Sequence, residues 1–262
     1  AKYLGVGKDT LRKAEALVIA SEKAPEKFKA ILEKVDSGRR TISNVASELA
    51  QWENAENVKP MPIPESVELS ISNTDFNHSD IASGSVNLIV TDPVWENKEQ
   101  WTDLGRFAER ILTGGGYLVV FTGNFHLDDA IIRLSQSLKF EMVMSVKLEA
   151  NHEIVLDWFI EAFPICVFYK SPRVGHPKLS NFMVAKKADR MKTFHLWGKN
   201  VEITKTLIEK FSKPDDLIIE PCAGGGSTIQ ACIETKRNCI AYEINPETFQ
   251  ILKKRFPDAK FN

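Results

Sequence analysis

Leu217-Ile218-Ile219-Glu220-Pro221-Cys222-Ala223-Gly224-Gly225-Gly226-Ser227-Thr228 is the stretch on which the reading of the fold turns. Its first residues form a short apolar run of the kind buried on both faces of a parallel sheet. Pro221 ends that strand, and three consecutive glycines precede a helical stretch from Ile229 to Thr235. Glycines let the backbone approach a ligand closely, and a helix start offers free N–H groups to an anionic group. The next strand, Cys239 to Ile244, carries Glu243 at about the 20-residue offset from the loop at which a carboxylate meets the ribose hydroxyls of a nucleoside cofactor. The plainer reading is a turn that packs helix against strand, with Glu243 a solvated strand end. No Gly-Lys-Ser/Thr follows the glycines, so a P-loop for nucleotide triphosphates is excluded.

Upstream, short β-rich runs alternate with helical periodicity. The runs are 67–72, 86–91, 117–122, 142–148, 165–170, 217–220 and 239–244, with helical patterns over 104–112, 127–138 and 201–211. This predicts an α/β fold, Rossmann-like, with a mostly parallel seven-stranded sheet. Residues 9 to 52 read instead as two or three helices, and Lys59-Pro60-Met61-Pro62-Ile63-Pro64 alternates three prolines, which forbids helix. The expected division is a small all-α domain over 1–56, a Pro-rich linker over 57–65 and the α/β domain over 66–262.

Asp92-Pro93-Val94-Trp95 directly follows the strand ending at Thr91. Open α/β sheets bind ligands at the carboxyl ends of their strands, so Asp92 should face the same crevice as the glycine loop. The Asp92 carboxylate and the Pro93 carbonyl can each accept one N–H of an exocyclic amine and stabilise the positive charge that develops as nitrogen attacks a methyl sulfonium. Trp95 can stack on the base. An Asp-Pro turn above a core tryptophan is the bland alternative.

DPVW and EPCAGGGST resemble the target-amine and cofactor motifs of the DNA amino-methyltransferases, in the permuted, β-class-like order where the catalytic motif precedes the cofactor loop. His195-Leu196-Trp197-Gly198-Lys199-Asn200-Val201-Glu202 is similar to that family's His…Lys-Pro-Val-Glu segment, and Asn73-Thr74-Asp75 to its Gly-Asp strand end. The resemblance implies S-adenosylmethionine as cofactor. It assigns the ribose to Glu243, the adenine end to Asp75, and the methionine side to Lys199, Asn200, Cys222, Ala223, Gly224 and Gly226, and counts Thr91 and Glu220 among the cofactor-binding residues as well. Asp92, Pro93 and Trp95 take the target base, which must be flipped out of a duplex or met in a single strand. An Asp at position 92 favours adenine N6; cytosine N4, an RNA substrate and a non-catalytic subunit are the alternatives. The chain departs from the family pattern at Val94 and Asn200, where prolines are usual, and at Glu220-Pro221-Cys222, where Asp-Pro-Phe is usual.

Residues 4–14 look like the turn and second helix of a helix-turn-helix, with a first helix expected before Ala1, and residues 1–54 resemble the helical DNA-binding region of ParB-like proteins. Lys8, Thr10, Arg12 and Lys13 are the candidate DNA contacts there. Ten basic against eight acidic residues over 1–54 leave a packing or dimerisation module as an equal reading. A second basic region, about 148–194, is the candidate target-recognition insertion, with Arg173, Lys178, Lys186 and Lys187 toward phosphates; an ordinary solvated loop is its alternative.

Composition narrows the class. At 262 residues, 43% apolar and 26% charged, the chain can bury a sizeable core. Its net charge of −1 requires any nucleic-acid contact to be local. Cys166, Cys222, Cys232 and Cys239 form no CxxC pair, so neither a metal site nor a disulfide framework is expected. The first residues lack a signal-peptide pattern and no apolar run suits a membrane span. The expectation is a cytoplasmic prokaryotic, phage or plasmid protein with DNA as partner, acting alone, as a homodimer or beside a partner subunit.

Overall fold

A computed structural model describes residues 8–39, 41–148, 153–155, 158–172, 180–185 and 200–262. Two compact units divide between Lys59 and Pro60. The first contains α1 (Lys8–Lys23), α2 (Pro25–Asp36) and α3 (Ile42–Glu56). Leu17, Ala20, Phe28, Val45 and Leu49 form its small core, with Phe28 edge-on to Trp52 at 5.5 Å. Pro25 at the first turn of α2 supplies a preset φ where no N–H is needed.

The second unit begins with β1 (Leu69–Ser72) and β2 (Val86–Thr91), then α4 (Lys98–Ile111), β3 (Leu112–Phe121), α5 (Leu127–Leu134) and β4 (Lys139–Leu148). After β5 (Glu153–Val155) and β6 (Trp158–Ile160) come β7 (Ala162–Tyr169) and β8 (Phe182–Ala185). It closes with α6 (Val201–Phe211), β9 (Leu217–Glu220), α7 (Ser227–Thr235), β10 (Asn238–Tyr242), α8 (Pro246–Arg255) and β11 (Lys260–Phe261).

The main sheet has the order β11-β1-β10-β9-β2-β3-β7-β4-β8, and β5 and β6 form a separate antiparallel ribbon. β7 is antiparallel to both β3 and β4, while every other pairing in the main sheet is parallel. The expected class is therefore observed, but among the described residues the main sheet has nine strands where seven were expected. The additions lie at the edges. β11 has only two residues, too few to show alternation, and β8 sits inside the basic segment whose composition reads as loop.

Apolar residues alternate between two cores. Leu88 and Val90 of β2 and Ile218 of β9 pack with α6, α7 and α8, whereas Ile89 and Ile219 face α4 and α5. Burial on both faces explains why these strands read as unbroken apolar runs. The proline stretch is not a free tether from Pro60 onward: Met61 N donates to Arg255 O at 2.7 Å, and Met61 and Ile63 pack against the first of these cores.

Candidate active site

β1, β10, β9 and β2 are consecutive neighbours and all parallel, so their carboxyl ends share one sheet edge. From β9 the chain crosses by α7 to β10, and from β2 it crosses by α4 to β3 on the opposite side. The direction of winding reverses between β9 and β2, and a crevice opens at such a switch point. That one edge carries Asp75 after β1, Glu243 after β10, Glu220 at the end of β9 with Pro221 to Gly226 following it, and Asp92 to Trp95 after β2.

At the glycine loop, Glu243 Oε2 accepts from Gly224 N at 2.8 Å and Oε1 accepts from Asn245 N at 2.8 Å. Asn73 Nδ2 donates to the Glu243 carbonyl at 2.7 Å, tying the end of β1 to the end of β10. Glu243 thus has a structural task in fixing the loop, and each carboxylate oxygen retains further acceptor capacity. Burial pushes its carboxyl above the usual carboxylate range, against the opposing effect of the two backbone N–H groups. Ala223 N donates to Tyr242 O at 2.8 Å, and Gly226 takes φ +81° as α7 begins. Beneath the loop the buried Arg255 guanidinium donates to Gly225 O and Gln230 Oε1.

Glu220 is 3% exposed and accepts from Cys222 N at 2.9 Å. Burial pushes its carboxyl up to about 8, and the Asp92 charge reinforces that rise while Thr228, Thr91 and the Cys222 N–H oppose it. The Cys222 thiol is likewise raised, first by burial and then by Glu220. Because the folded Glu220 holds its proton to higher pH than the unfolded chain, stability from this group is full below about 4.5 and is lost as pH rises toward 8. Glu220→Gln should remove that loss: its melting temperature should exceed that of the unsubstituted protein by several degrees at pH 8.5 and match it near pH 5, as read by a thermal melt series.

In the second loop Trp95 Nε1 donates to Asp92 Oδ1 at 3.0 Å, and Trp101 Nε1 of α4 donates to the Trp95 carbonyl at 3.0 Å. The Trp95 ring lies over Gly123, at the end of β3, where an added Cβ would sit 2.6 Å from the ring, and its centroid is 6.4 Å from that of His126. Trp95 is half-buried and packs against the core of α4 and α5, while Pro93 is buried and Val94 is 60% exposed. Asp75 lies further along the edge and caps a 3₁₀ turn by accepting from Asn77 N at 2.8 Å.

Asn200 caps α6, its Oδ1 accepting from Ile203 N at 2.9 Å, so the position performs a helix-start task that a proline would perform differently. Its Nδ2 is buried with no partner among the described residues. Thr91 Oγ1 is also buried, near enough to Glu220 to bias it but without a well-formed hydrogen bond among the described residues. Buried polar groups left open in this way fit a polar small-molecule ligand. Lys199, Arg173, Lys178, Lys186 and Lys187 lie outside the described residues. Lys8, Thr10 and Arg12 are exposed on α1 and Lys13 is partly so, on one continuous helix.

Sequence reasoning missed Gln100, Trp101 and Gly123. The spacing of Asn97 and Gln100 signals a helix start, but nothing in it shows that both side chains of the first turn reach back into the Asp92 loop.

The DNA methylase family model N6_N4_Mtase matches residues 153–254. That match covers less than half of the chain. Type II methyltransferase M.HindIII of Haemophilus influenzae is 30% identical over 83 residues, 32% of this chain and 27% of its own length. The chain therefore spans about a quarter of that relative. Among solved structures, the M1.HpyAVI–SAM complex superposes with a TM-score of 0.59 at 20% identity, covering 71% of this chain and 97% of that one. PvuII DNA methyltransferase, cytosine-N4-specific, gives 0.61 at 12% identity over 71% of this chain and 86% of that one. These superpositions establish the shared methyltransferase fold. Among the described residues no helix is long and apolar enough to cross a membrane.

Proposed function

We propose that the chain binds S-adenosylmethionine and transfers its methyl group to an exocyclic amine of a base in DNA, adenine N6 by preference. The observation that carries the reading is the convergence of four parallel strand ends at the switch point, with Asp92 and Glu243 on either side of the glycine loop. Glu243 would accept from the ribose hydroxyls, the Gly224–Gly226 segment and Asn200 would hold the amino-acid end, and Asp75 would border the adenine end. When bound, the cofactor supplies a methyl sulfonium electrophile.

The chain's own residues do the remaining work. Asp92 and the Pro93 carbonyl accept the two N–H bonds of the target amine, which frees its lone pair from the ring and balances the charge that grows on nitrogen. Trp95 Nε1 holds the Asp92 carboxylate in place, so the acceptor is oriented before the base arrives. The partly exposed Trp95 ring bounds the base pocket. The preference for adenine rests on the aspartate at position 92. Residues 148–194 are assigned to target recognition and the helical segment 1–56 to further DNA contact.

The test is transfer of labelled methyl from S-adenosylmethionine to duplex DNA, single-stranded DNA and RNA, followed by digestion to nucleosides. N6-methyladenine in DNA is the expected product. Label in cytosine or RNA would correct the substrate, and absence of both label and calorimetric cofactor binding would overturn the reading.

A further inference from the structure

Gln100, at the third position of α4, touches both loops of the site. Its backbone is fixed because Gln100 N donates to Asn97 Oδ1, the helix cap, at 3.2 Å. Its carboxamide is divided between two partners: Oε1 accepts from Val94 N at 2.9 Å, and Nε2 donates to Cys222 Sγ at 3.7 Å. Both partners belong to this sequence in particular. A proline at position 94 would present no N–H, and a phenylalanine at 222 would present no sulfur acceptor. The Gln100 amide therefore joins Val94 and Cys222, one departure from the family pattern in each loop.

We propose that Gln100 is a positioning residue that couples the Asp92–Trp95 loop to the cofactor loop; this rests on the methyltransferase reading above. One end of the amide holds the backbone beside Asp92 and Pro93. The other holds the thiol of the loop that would receive the methionine end of the cofactor. Because an amide is planar, movement of either loop reorients the group that the other depends on. Its two ends are chemically unlike, so they can be tested separately. Glutamate keeps an acceptor for Val94 N and loses the donor to Cys222; methionine keeps the length and loses both.

The experiment compares Gln100→Met, Gln100→Glu, Val94→Pro and Val94→Pro/Gln100→Met for methyl transfer to DNA and for cofactor affinity by calorimetry, with a thermal melt of each to establish folding. Gln100→Met should lower kcat about tenfold and weaken cofactor binding about threefold, the scale of one good and one weak hydrogen bond. Gln100→Glu should recover most of kcat while keeping the weakened cofactor affinity. Once Val94→Pro has removed the N–H, adding Gln100→Met should slow transfer no further. Multiplying effects of Val94→Pro and Gln100→Met, or identical behaviour of the Met and Glu variants, would overturn the coupling while leaving the methyltransferase reading intact. An unsubstituted protein that neither binds cofactor nor transfers methyl would overturn both.

Discussion

Asp92→Asn should reduce methyl transfer by about 10²–10³-fold while leaving cofactor affinity within about twofold of the unsubstituted protein. Asparagine retains Oδ1, so it can still accept from Trp95 Nε1, and the loop geometry that this 3.0 Å contact maintains should persist. What is lost is the negative charge facing the amine as its nitrogen becomes positive. Asp92→Ala removes the Trp95 acceptor as well, and its loss should be larger, at roughly 10³-fold or more, with a change in tryptophan fluorescence that Asp92→Asn does not show. The separation of rate from affinity is the decisive feature: Asp92 follows β2, whereas the cofactor groups follow β9 and β10. An Asp92→Asn protein that keeps its rate would remove Asp92 from the chemistry.

Gly226→Ala should be the most destabilising single substitution in the glycine loop, by about 3 kcal/mol, which lowers the melting temperature by roughly 6–12 °C. Two causes add. Gly226 has φ +81°, which costs an L-residue about 1 kcal/mol, and its new Cβ would lie 2.6 Å from Phe256 Cε2 and 2.9 Å from Leu252 Cδ2. Leu252 lies in α8 and Phe256 directly follows it; both are fully buried and cannot withdraw without opening the core. Gly84→Ala separates the causes, because Gly84 has φ +67° with nothing within 4 Å of the added carbon. It should cost only the backbone part, about 1 kcal/mol. Equal melting temperatures for the two variants would show that the contact with α8 is not what makes Gly226 a glycine.

The pH and Gln100 predictions concern the same edge of the sheet from opposite directions. Glu220 is held protonated to an unusually high pH by burial, so the floor of the site carries less negative charge than its four carboxyl residues suggest. That leaves Asp92 as the acid of this group that is tied to an indole N–H.

Local sequence determined the elements. Leu217-Ile218-Ile219-Glu220 formed the strand that its short apolar run and its closing Pro221 and glycines predict, and the apolar spacing over 201–211 produced α6 at those residues. It also determined which side chains stand at strand ends, since Asp92 directly follows one β-rich run and Glu243 lies near the end of another. Each of these outcomes depends on interactions within a few residues, which periodicity and turn chemistry encode. Where the chain relies on long-range contact, the sequence is silent. β11 exists because Ser70 and Ile71 of β1 offer it an edge, and β8 because β4 does.

The neighbours of each site residue were likewise settled by tertiary structure. No spacing rule brings Gln100 to Cys222, 122 positions away, or sets the Trp95 ring against Gly123. The placement of β9 beside β2 brings the glycine loop and the Asp92 loop together, and that pairing depends on strand order, which is a property of the packed sheet. Residue type fixed what chemistry each group can perform. Packing fixed which of those groups meet, because hydrogen bonds across the site require strands held in register, and two cores, one on each face of the sheet, hold them there.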